Sequence, residues 1–425
     1  MKALLVGSGG REHAIARSLA GDAELHAAVS NLNPGIADLA ETVREVDVTS
    51  PDEVVEYALD VEADVAVVGP EAPLQAGVVD ALEDAGVYGF GPKRDEARIE
   101  TDKAWARRFM TENEVPGAPE YEVFGSREAA ADYVEGVEGD VAVKPRGLTG
   151  GKGVRVTGDQ LSKQEASDYV LDSDWDEWVV EERLVGEEFT LQAFVADGVL
   201  RPMPLVQDHK RAYEGDRGPN TGGMGSYSDA GKLLPFTTEE EYERALSIMQ
   251  AVVDALPDYR GVLYGQFMLT AEGPKVVEFN ARFGDPEAMN VLSIMETSLV
   301  DVLEGAMEGR LPEVEFEDVA TVCKYAVPEG YPVDPEGGAE ITLSPDDVGD
   351  ALLYYASVDS RDGRLYTTTS RSIAVVGRGA SIDEAEHQAS EALEALGPGL
   401  RVRDDVGKPH VVERRMEHMK EIRDG

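Results

Sequence analysis

The stretch KALLVGSGGREHA, residues 2–14, predicts a strand, a glycine-rich turn and a helix in immediate succession. The same alternation continues through LHAAVS (25–30), DVAVVG (64–69) and VYGFG (87–91), with helical segments between these strands. The strand segments are continuously apolar, which is typical of strands that are buried on both faces. This pattern predicts a doubly wound parallel sheet with helices on both sides.

After residue 100 the pattern changes to longer helices separated by strands and by two glycine-rich loops. The helices are predicted around 102–113, 127–135, 239–256 and 287–307. The predicted strands include VAVKP, EWVVEE, FTLQAFVAD, GVLYGQFMLT and KVVEFN. From about residue 328 a stretch rich in Pro and Gly leads into three more strands and a helix over 382–396. We therefore expect a parallel-sheet domain (1–100), a central α+β domain (101–327) and a small C-terminal α+β domain (328–425).

The charge balance limits the possible partners. The 425 residues contain 39 Lys+Arg and 84 Asp+Glu, a formal net charge of −45. A field of that sign repels nucleic-acid phosphates and anionic lipids, so we expect neither partner. Arg outnumbers Lys by 27 to 12, and this composition resembles that of proteins from salt-loaded cytoplasm. Because salt at ~1 M screens charges within about 3 Å, we expect molar KCl to stabilise this halophile-like protein.

The cysteine content and the apolar runs bear on location. The single cysteine, Cys323, permits no internal disulfide and no zinc site built from cysteines. The first residues lack the charged and apolar regions of a signal peptide, and no apolar run approaches the length of a membrane span. We therefore expect a cytoplasmic protein.

Two motifs follow strands of the first domain. In GSGGREHA (7–14), backbone N–H groups and the helix dipole suit a phosphate, and Arg11 stands at the helix start. The third glycine of the dinucleotide fingerprint is replaced by Glu12, so NAD is not expected. In VGPEAPL (68–74), Glu71 lies at the strand edge where ligands of such sheets bind. A tight turn and a strand terminated by prolines are the structural alternatives.

VAVKPRGLTGGKGV (141–154) combines a strand lysine, Lys144, with a loop that contains four glycines between residues 147 and 153. Such a loop lets backbone N–H groups approach nucleotide phosphates, and the lysine adds a point charge. The order of residues is not that of a P-loop. The alternative interpretation is a flexible turn.

Three further segments carry polar clusters. WVVEERLVGEE (178–188) is rich in glutamate, which in so acidic a chain also fits a solvated surface. DHKR (208–211) and GPNTGGMGSY (218–227) suit the binding of a small polar ligand by backbone groups and short side chains. A surface loop is the alternative, although long ordered loops are more often functional.

VVEFNARFGDPEA (276–288) places Glu278 and Asn280 two residues apart on one strand, hence on the same face. Both side chains offer oxygen to a hard cation, which suits Mg²⁺ shared between protein and nucleotide phosphates. Arg282 follows at the same period. A charged trio on one face at a strand end is not expected to be core.

These motifs, in this order, resemble the phosphoribosylamine-glycine ligase family of ATP-grasp enzymes in purine biosynthesis. The segments that carry the resemblance are GSGGREHA, VGPEAPL, VKPRGLTGGKG, EERLVGEE, DHKR, GPNTGGMGSYS and VEFNARFGDPE. The resemblance implies an ATP-grasp central domain with a mobile lid at about 118–188. It also implies a monomer that uses ATP and Mg²⁺ (or Mn²⁺) to join glycine to 5-phosphoribosylamine. The chain departs from the family at Pro145-Arg146, where Ala-Asp is more frequent.

The resemblance also implies roles for individual residues. The catalytic residues would be Lys144, Asp208 and Arg282. ATP would contact Lys103, Lys144, Gly147, Gly150, Gly151, Gly153, Glu181, Glu182, Leu184 and Glu188. The substrates would contact Gly9, Gly10, Arg11, Glu12, Pro70, Glu71, Asp208, Lys210, Asn220, Thr221, Gly222, Gly223, Met224 and Arg282. The metal ligands would be Glu278 and Asn280, with Gln266 as a third.

The implied reaction proceeds through glycyl phosphate and needs no covalent enzyme intermediate. One alternative is another ATP-grasp ligase or carboxylase that activates formate or bicarbonate, against which GPNTGGMG argues. A second alternative is a protein that binds ATP without turning it over. Lys144, Glu278 and Asn280 argue against it, because a mere binder need not keep a phosphate site bridged by metal.

Overall fold

The structure is a computed structural model and describes residues 1–148 and 153–425. The first hundred residues form a parallel sheet in the order β3-β2-β1-β4-β5. Its strands are β1 (Lys2–Val6), β2 (Glu24–Val29), β3 (Thr42–Glu45), β4 (Val65–Val68) and β5 (Tyr88–Phe90). The helices between them are α1 (Gly10–Leu19), α2 (Pro34–Ala37), α3 (Pro51–Asp60), α4 (Glu71–Ala76) and α5 (Val78–Asp84).

The central strand β1 is buried on both faces, as its continuous apolar sequence predicts. Leu4 and Val6 belong to one hydrophobic core, and Ala3 and Leu5 belong to another. The neighbouring strands pair with β1 in parallel on both sides. The doubly wound sheet is therefore confirmed, and the carboxyl end of β1 leads directly into the glycine-rich turn.

The next segment has a small core of its own. It follows α6 (Arg98–Thr101) and α7 (Lys103–Glu112), and its sheet has the order β6-β9-β7-β8. Its elements are β6 (Tyr121–Phe124), α8 (Arg127–Gly136), β7 (Val141–Pro145), β8 (Arg155–Val156), α9 (Lys163–Asp172) and β9 (Trp178–Glu182). Trp178 is fully buried there, among Val134, Val143 and Val170. A separate core of this kind allows the segment to act as one body.

A four-stranded sheet in the order β11-β10-β16-β17 carries the strands that were predicted to bind metal and nucleotide. This part of the chain comprises β10 (Glu187–Ala196), β11 (Val199–Pro202), β12 (Gln207–Asp208), β13 (Arg211–Tyr213), β14 (Arg217–Asn220), β15 (Gly225–Ser228), α10 (Glu239–Ala255), β16 (Gly261–Thr270), β17 (Gly273–Asn280), α11 (Glu287–Leu292) and α12 (Leu299–Met307). The predicted glycine-rich loop over 218–225 is partly strand, because β14 pairs with β13 in a hairpin.

The single helix predicted over 287–307 is wrong: α11 and α12 are separate helices. Ser293 ends the first, and its hydroxyl donates to the Asn290 carbonyl at 2.8 Å. Ser298 begins the second, because its side chain accepts the Val300 N–H at 3.2 Å. Between them Met295 forms a β-bridge with Phe316. The apolar pattern continues through the break, whereas the two serines that end and start the helices are weak sequence signals.

The C-terminal part completes a sheet in the order β12-β15-β18-β23-β20, with β24 paired to β18. Its elements are β18 (Ala320–Pro328), β19 (Glu340–Ile341), a 3₁₀ turn (Pro345–Asp347), β20 (Leu352–Tyr355), β21 (Val358–Arg361), β22 (Arg364–Thr367), β23 (Ile373–Gly379), α13 (Ile382–Leu393), β24 (Leu400–Val402) and α14 (Pro409–Asp424). This sheet includes β12 and β15 from the central part. The strand β18 also crosses residue 327, where a domain boundary was predicted.

The mixed sheet brings the C-terminal part beside the polar loops at 208–211 and 218–227.

Within the described ranges, none of the helices combines the length and the apolar composition that a membrane crossing requires.

Candidate active site

A cleft of about 730 Å³ lies where the parts of the chain meet, and residues from all of them line it. Of the residues that the sequence analysis singled out, those that line it are Arg11, Glu71, Lys103, Lys144, Glu181, Glu182, Leu184, Glu188, Asp208, Lys210, Asn220, Thr221, Gly222, Gln266, Glu278, Asn280 and Arg282. The others whose positions are described do not line it: Gly9, Gly10, Glu12, Pro70, Gly147, Gly153, Gly223 and Met224. Gly150 and Gly151 lie outside the described residues.

At one end of the cleft, Lys144 forms a buried charge cluster. Its ammonium donates to the Glu181 carboxylate at 2.7 Å and to the Val277 carbonyl at 3.1 Å. Arg107 of α7 donates to both oxygens of the same carboxylate, at 2.7 and 3.0 Å. Burial alone would raise the pKa of Glu181, but Arg107 and then Lys144 lower it to about 2. Both oxygens of Glu181 are therefore occupied by cations.

Lys103 stands beside this cluster at the start of α7. Its ammonium donates to the Gly147 carbonyl at 2.7 Å, which links it to the glycine-rich loop. Burial lowers its pKa, an effect that Glu278 partly opposes. The helix is capped by Asp102, whose carboxylate accepts two bonds from Arg146 at 2.8 and 2.7 Å. The departure from the family at residue 146 therefore fixes the base of this loop against the helix cap, outside the cleft.

The predicted metal ligands lie on neighbouring strands. Gln266 of β16 is opposite Glu278 of β17, and Asn280 follows two residues later. The Lys210 ammonium donates to the side-chain oxygen of Gln266 and lies 3.9 Å from the Glu278 carboxylate. The Gln266 amide donates to Glu188 at 2.5 Å. Burial would raise the pKa of Glu278, yet Lys210 and other cations lower it.

Arg282 lies between two carboxylates. Its guanidinium is 2.8 Å from Glu100 and 3.6 Å from Glu71. The second oxygen of Glu100 accepts the Ala281 N–H at 2.7 Å. Burial raises the pKa of Glu100 to about 7 even though Arg282 opposes this. The two carboxylates of Glu100 and Glu71 hold the Arg282 guanidinium at the point where the first domain meets the strand β17.

Asp208 presents an acceptor without a donor. Its Oδ1 atom is buried and has no hydrogen-bond partner among the described residues. Burial and the nearby carboxylate of Glu287 raise its pKa, and Lys210 opposes them. Glu287 in turn accepts hydrogen bonds from Tyr264 at 2.8 Å and Thr190 at 3.3 Å. Two carboxylates in such a place suit a cationic or ammonium ligand.

The loop at 220–224 is held by contacts that only glycine permits. At Gly223, with φ +109, an added Cβ would lie 2.6 Å from Pro286 and 3.0 Å from Asp208. Arg371 of the C-terminal part donates to the carbonyls of Gly222 and Gly223 at 2.6 and 3.0 Å. Met224 is fully buried in the core. The C-terminal part therefore contributes directly to the cleft.

The N-terminal loop is built around Glu12. Its carboxylate accepts the Gly9 N–H at 2.6 Å and pairs with Arg11 at 2.6 Å. It also fills the space that a Cβ at Gly7 or Gly69 would need. Arg11 continues to the Phe283 carbonyl at 3.0 Å and lines the cleft. The place of the third glycine is thus taken by a residue that holds the loop through Gly9 and Arg11 and packs against the residues that follow two strands, Gly7 and Gly69.

Three family models match the chain. They describe the phosphoribosylglycinamide synthetase N domain (residues 1–100), ATP-grasp (A) domain (101–288) and C domain (321–409). The chain belongs to the phosphoribosylglycinamide synthetase family.

Relatives of this family are similar to the chain over its whole length. The phosphoribosylamine-glycine ligase of Methanosarcina barkeri is 53% identical and that of Methanopyrus kandleri 49%; each alignment covers 100% of this chain and at least 99% of the relative. The crystal structure of the Thermotoga maritima phosphoribosylamine-glycine ligase has a TM-score of 0.81 at 27% identity, over 95% of this chain and 100% of that one. The resemblance to the family and the ATP-grasp fold are therefore confirmed.

The structure adds residues to the phosphoribosylglycinamide synthetase site that the sequence analysis missed. Glu100, Glu287 and Arg371 all line the cleft. Glu287 lies within the quoted motif over 276–288, so its signal was available. Glu100 comes just before Lys103 and has no signal beyond being an acidic residue near a predicted helix start. Arg371 is more than 140 residues from the loop that it holds, and no local pattern indicates it.

Proposed function

We propose that this protein ligates glycine to 5-phosphoribosylamine and converts ATP to ADP and phosphate, which gives glycinamide ribonucleotide in purine biosynthesis. The observation that carries the proposal is the single cleft that gathers Lys103, Lys144, Asp208, Glu278 and Arg282 from separate motifs. Membership of the phosphoribosylglycinamide synthetase family supports the same reaction.

ATP binds in this proposal at the end of the cleft that Lys103 and Lys144 line. The two lysines contact the phosphates, and the glycine-rich loop with Gly147, Gly150, Gly151 and Gly153 closes over them. The stretch from Glu181 to Leu184 holds the adenine through backbone groups. The side chain of Glu181 supports this, because its two oxygens are already bonded to Arg107 and Lys144. Glu182 lines the same wall, and Glu188 binds the ribose.

A divalent cation fits the oxygen atoms on β16 and β17. Glu278 and Asn280 would hold it, with Gln266 as the third ligand. The lowered pKa of Glu278 keeps its carboxylate ionised, as a metal ligand requires. Bound there, Mg²⁺ or Mn²⁺ would supply positive charge to neutralise the nucleotide phosphates. Lys210 contacts the side-chain oxygen of Gln266, so that contact must open before Gln266 can bind metal.

Glycine binds between Asp208, Lys210, Arg282 and the loop with Asn220, Thr221, Gly222, Gly223 and Met224. The unpartnered oxygen of Asp208 suits the glycine ammonium, and the Arg282 guanidinium suits its carboxylate. A carboxylate oxygen of glycine attacks the γ-phosphorus of ATP, and ADP leaves. Lys144 and Arg282 stabilise the charge that develops on the transferred group.

The second step uses the N-terminal part. Gly9, Gly10, Arg11, Glu12, Pro70 and Glu71 form the region for the phosphoribosyl group. Arg11 and Glu71 reach the cleft, while the remaining residues fix the loop behind them. The amine of 5-phosphoribosylamine attacks the carbonyl carbon of glycyl phosphate. Phosphate leaves, the nitrogen loses a proton and the amide bond is formed.

We propose the same organisation that the sequence suggests: units at 1–100, 101–327 and 328–425, with a mobile lid at about 118–188. The separate core around Trp178 supports a lid that moves as one body. We further propose a cytoplasmic monomer without nucleic-acid or membrane partners. The net charge of −45 supports the absence of nucleic-acid and membrane partners, because it opposes binding to polyanions.

The test is ADP release from MgATP in about 2 M KCl, a salt level at which surface charges are strongly screened. 5-Phosphoribosylamine is generated in place from ribose 5-phosphate and ammonia. We expect turnover that requires both glycine and the ribosylamine. Turnover that ignores glycine but needs formate or bicarbonate and another ribonucleotide would contradict the substrate assignment and leave the ATP-grasp fold intact.

A further inference from the structure

The C-terminal helix α14, Pro409–Asp424, lies almost entirely beyond residue 409, where the family match ends. It contains four Lys/Arg and four Asp/Glu residues, so it carries no formal net charge in a chain with −45. Three of its cations, Arg414, Arg415 and Arg423, lie against carboxylates of the central part. Two of its residues, Arg415 and His418, also line the cleft.

The contacts converge on Glu187, the first residue of β10. Its carboxylate accepts a hydrogen bond from Arg415 at 2.8 Å through one oxygen. The other oxygen is 2.5 Å from Nδ1 of His418. The Glu187 side chain is only 4% exposed, so these two partners compensate an otherwise buried charge. Arg415 also donates to Asp216 at 2.7 Å, and its fork thereby joins β10 to the hairpin β13–β14.

Glu187 precedes Glu188, whose carboxylate reaches into the cleft toward Gln266. On the strand β10 the two side chains point to opposite faces, so fixing one fixes the direction of the other. The residue before them, Gly186, is pressed against β16: an added Cβ would lie 1.9 Å from the Leu269 carbonyl. The start of β10 is therefore held by β16 on one side and by α14 on the other.

We propose that Arg415 and His418 are positioning residues for the nucleotide, which act through Glu187 to hold the Gly186–Glu188 backbone and the Glu188 carboxylate in place. This inference rests on the proposed function only in assigning the adjoining end of the cleft to ATP. It gives the helix α14 a role in nucleotide affinity, while the reacting atoms lie at Asp208 and Arg282.

The first test measures MgADP binding by calorimetry for R415M, R415K and a matched control, R423M. Arg423 lies on the same helix and pairs with Glu241 at 2.8 Å, and it does not line the cleft. We expect R415M to raise the dissociation constant about tenfold, which corresponds to about 1.4 kcal/mol. R415K should have an intermediate effect, since one ammonium replaces a fork that bonds two different carboxylates. R423M should lower the melting temperature without weakening MgADP binding.

His418 provides a variant with little risk to folding, because its side chain is 40% exposed. H418N keeps a donor at the position of Nδ1, the atom that contacts Glu187, and should bind MgADP like the parent, whereas H418A should bind it more weakly. In the E187Q background, R415M should lower the affinity for MgADP little further, since both changes remove the same ion pair.

In ADP-release assays of R415M and H418A, the KM for ATP should rise, while kcat and the KM for glycine stay within about twofold of the parent.

Unchanged MgADP binding in both R415M and H418A would overturn the inference. An equal loss of affinity in R423M would do so too, because α14 would then act only on overall stability. A parent that binds MgADP without turnover dependent on glycine would contradict the proposed reaction, while the comparison among the α14 variants would still stand.

Discussion

Replacing Glu181 by glutamine tests the buried charge cluster at the end of the cleft where we propose that ATP binds. E181Q keeps the shape of the side chain but leaves Arg107 and Lys144 buried without their shared counter-charge. The ordinary glutamate pKa of 4.5 and the folded-state pKa of about 2 differ by an amount that corresponds to about 3 kcal/mol at neutral pH. Breaking a buried ion pair on one side costs a similar amount, about 3–5 kcal/mol.

The measurement is urea unfolding in about 2 M KCl, a concentration chosen to screen surface charges. Tryptophan fluorescence follows this region well, because the three tryptophans of the chain are Trp105 on α7 and Trp175 and Trp178 near β9. The matched control is E182Q. Glu182 is the next residue, and among the residues that the structure describes its carboxylate accepts one hydrogen bond, from the Glu120 N–H at 3.0 Å. E182Q should stay within about 0.5 kcal/mol of the parent.

The contribution of Glu181 to the free energy of unfolding should depend on pH in a defined direction. Because the folded pKa of Glu181 lies below the unfolded value, its contribution is complete above pH 4.5 and is lost as the pH falls toward 2. The difference in free energy of unfolding between parent and E181Q should therefore become smaller as the pH falls from 4.5 toward 2. A loss below about 1 kcal/mol at pH 7, or a gap that does not change down to pH 3, would refute the assignment of the cluster.

Three further predictions concern the chemistry, the acid response and the salt response. K144A and E278A should each lower ADP release by about 10²-fold or more with the fold intact. K163A should not, because Lys163 contacts the Val137 carbonyl and does not line the cleft; circular dichroism verifies folding. Burial lowers the pKa of His13 to about 4, so the free energy of unfolding of the parent should fall by up to about 3 kcal/mol between pH 6.5 and 4. The control is H13N, whose amide oxygen can still accept the Tyr355 N–H. Unfolding free energies of parent and H13N that run parallel over this pH range would contradict the prediction. The melting temperature should rise between about 0.1 M and 2 M KCl, and a flat response would remove the link between composition and salt.

Much of the fold follows from local patterns. The continuously apolar β1 and the polar period of two on β17 predict their positions because burial and strand alternation depend on neighbouring residues. The helix break at Ser293 and Ser298 was missed, since the apolar pattern runs through it. The mixed sheet with β12, β15 and β18 was missed for another reason: pairing between strands a hundred residues apart leaves no local signal.

The same distinction applies to the candidate site. Glu278, Asn280 and Gln266 come together as expected because strand register sets their spacing. Arg371 and α14 reach the cleft through the packing of the C-terminal part, which depends on the whole chain. Glu12 differs from both. The sequence analysis found its motif, but the structure shows that Glu12 mainly holds the loop in place through its bonds to Gly9 and Arg11.

The residues that line the cleft are not predominantly positive. Five cations do gather there: Arg11, Lys103, Lys144, Lys210 and Arg282. Yet the described lining residues include nine Lys/Arg and twelve Asp/Glu, and four of these five cations have carboxylate partners.

This pairing explains how a protein with −45 can hold cations ready for an anionic ligand. Each of the four paired cations is kept oriented by a carboxylate whose own desolvation has already been compensated, so little reorganisation is needed when phosphate arrives. The surplus of carboxylates leaves the cleft unfavourable for a bare polyphosphate. Under the proposed function it would suit a nucleotide that arrives with a divalent cation, because the lowered pKa of Glu278 keeps its carboxylate charged for that cation. Under the proposed function, we therefore expect the cleft to bind the metal-bound nucleotide more tightly than the bare one.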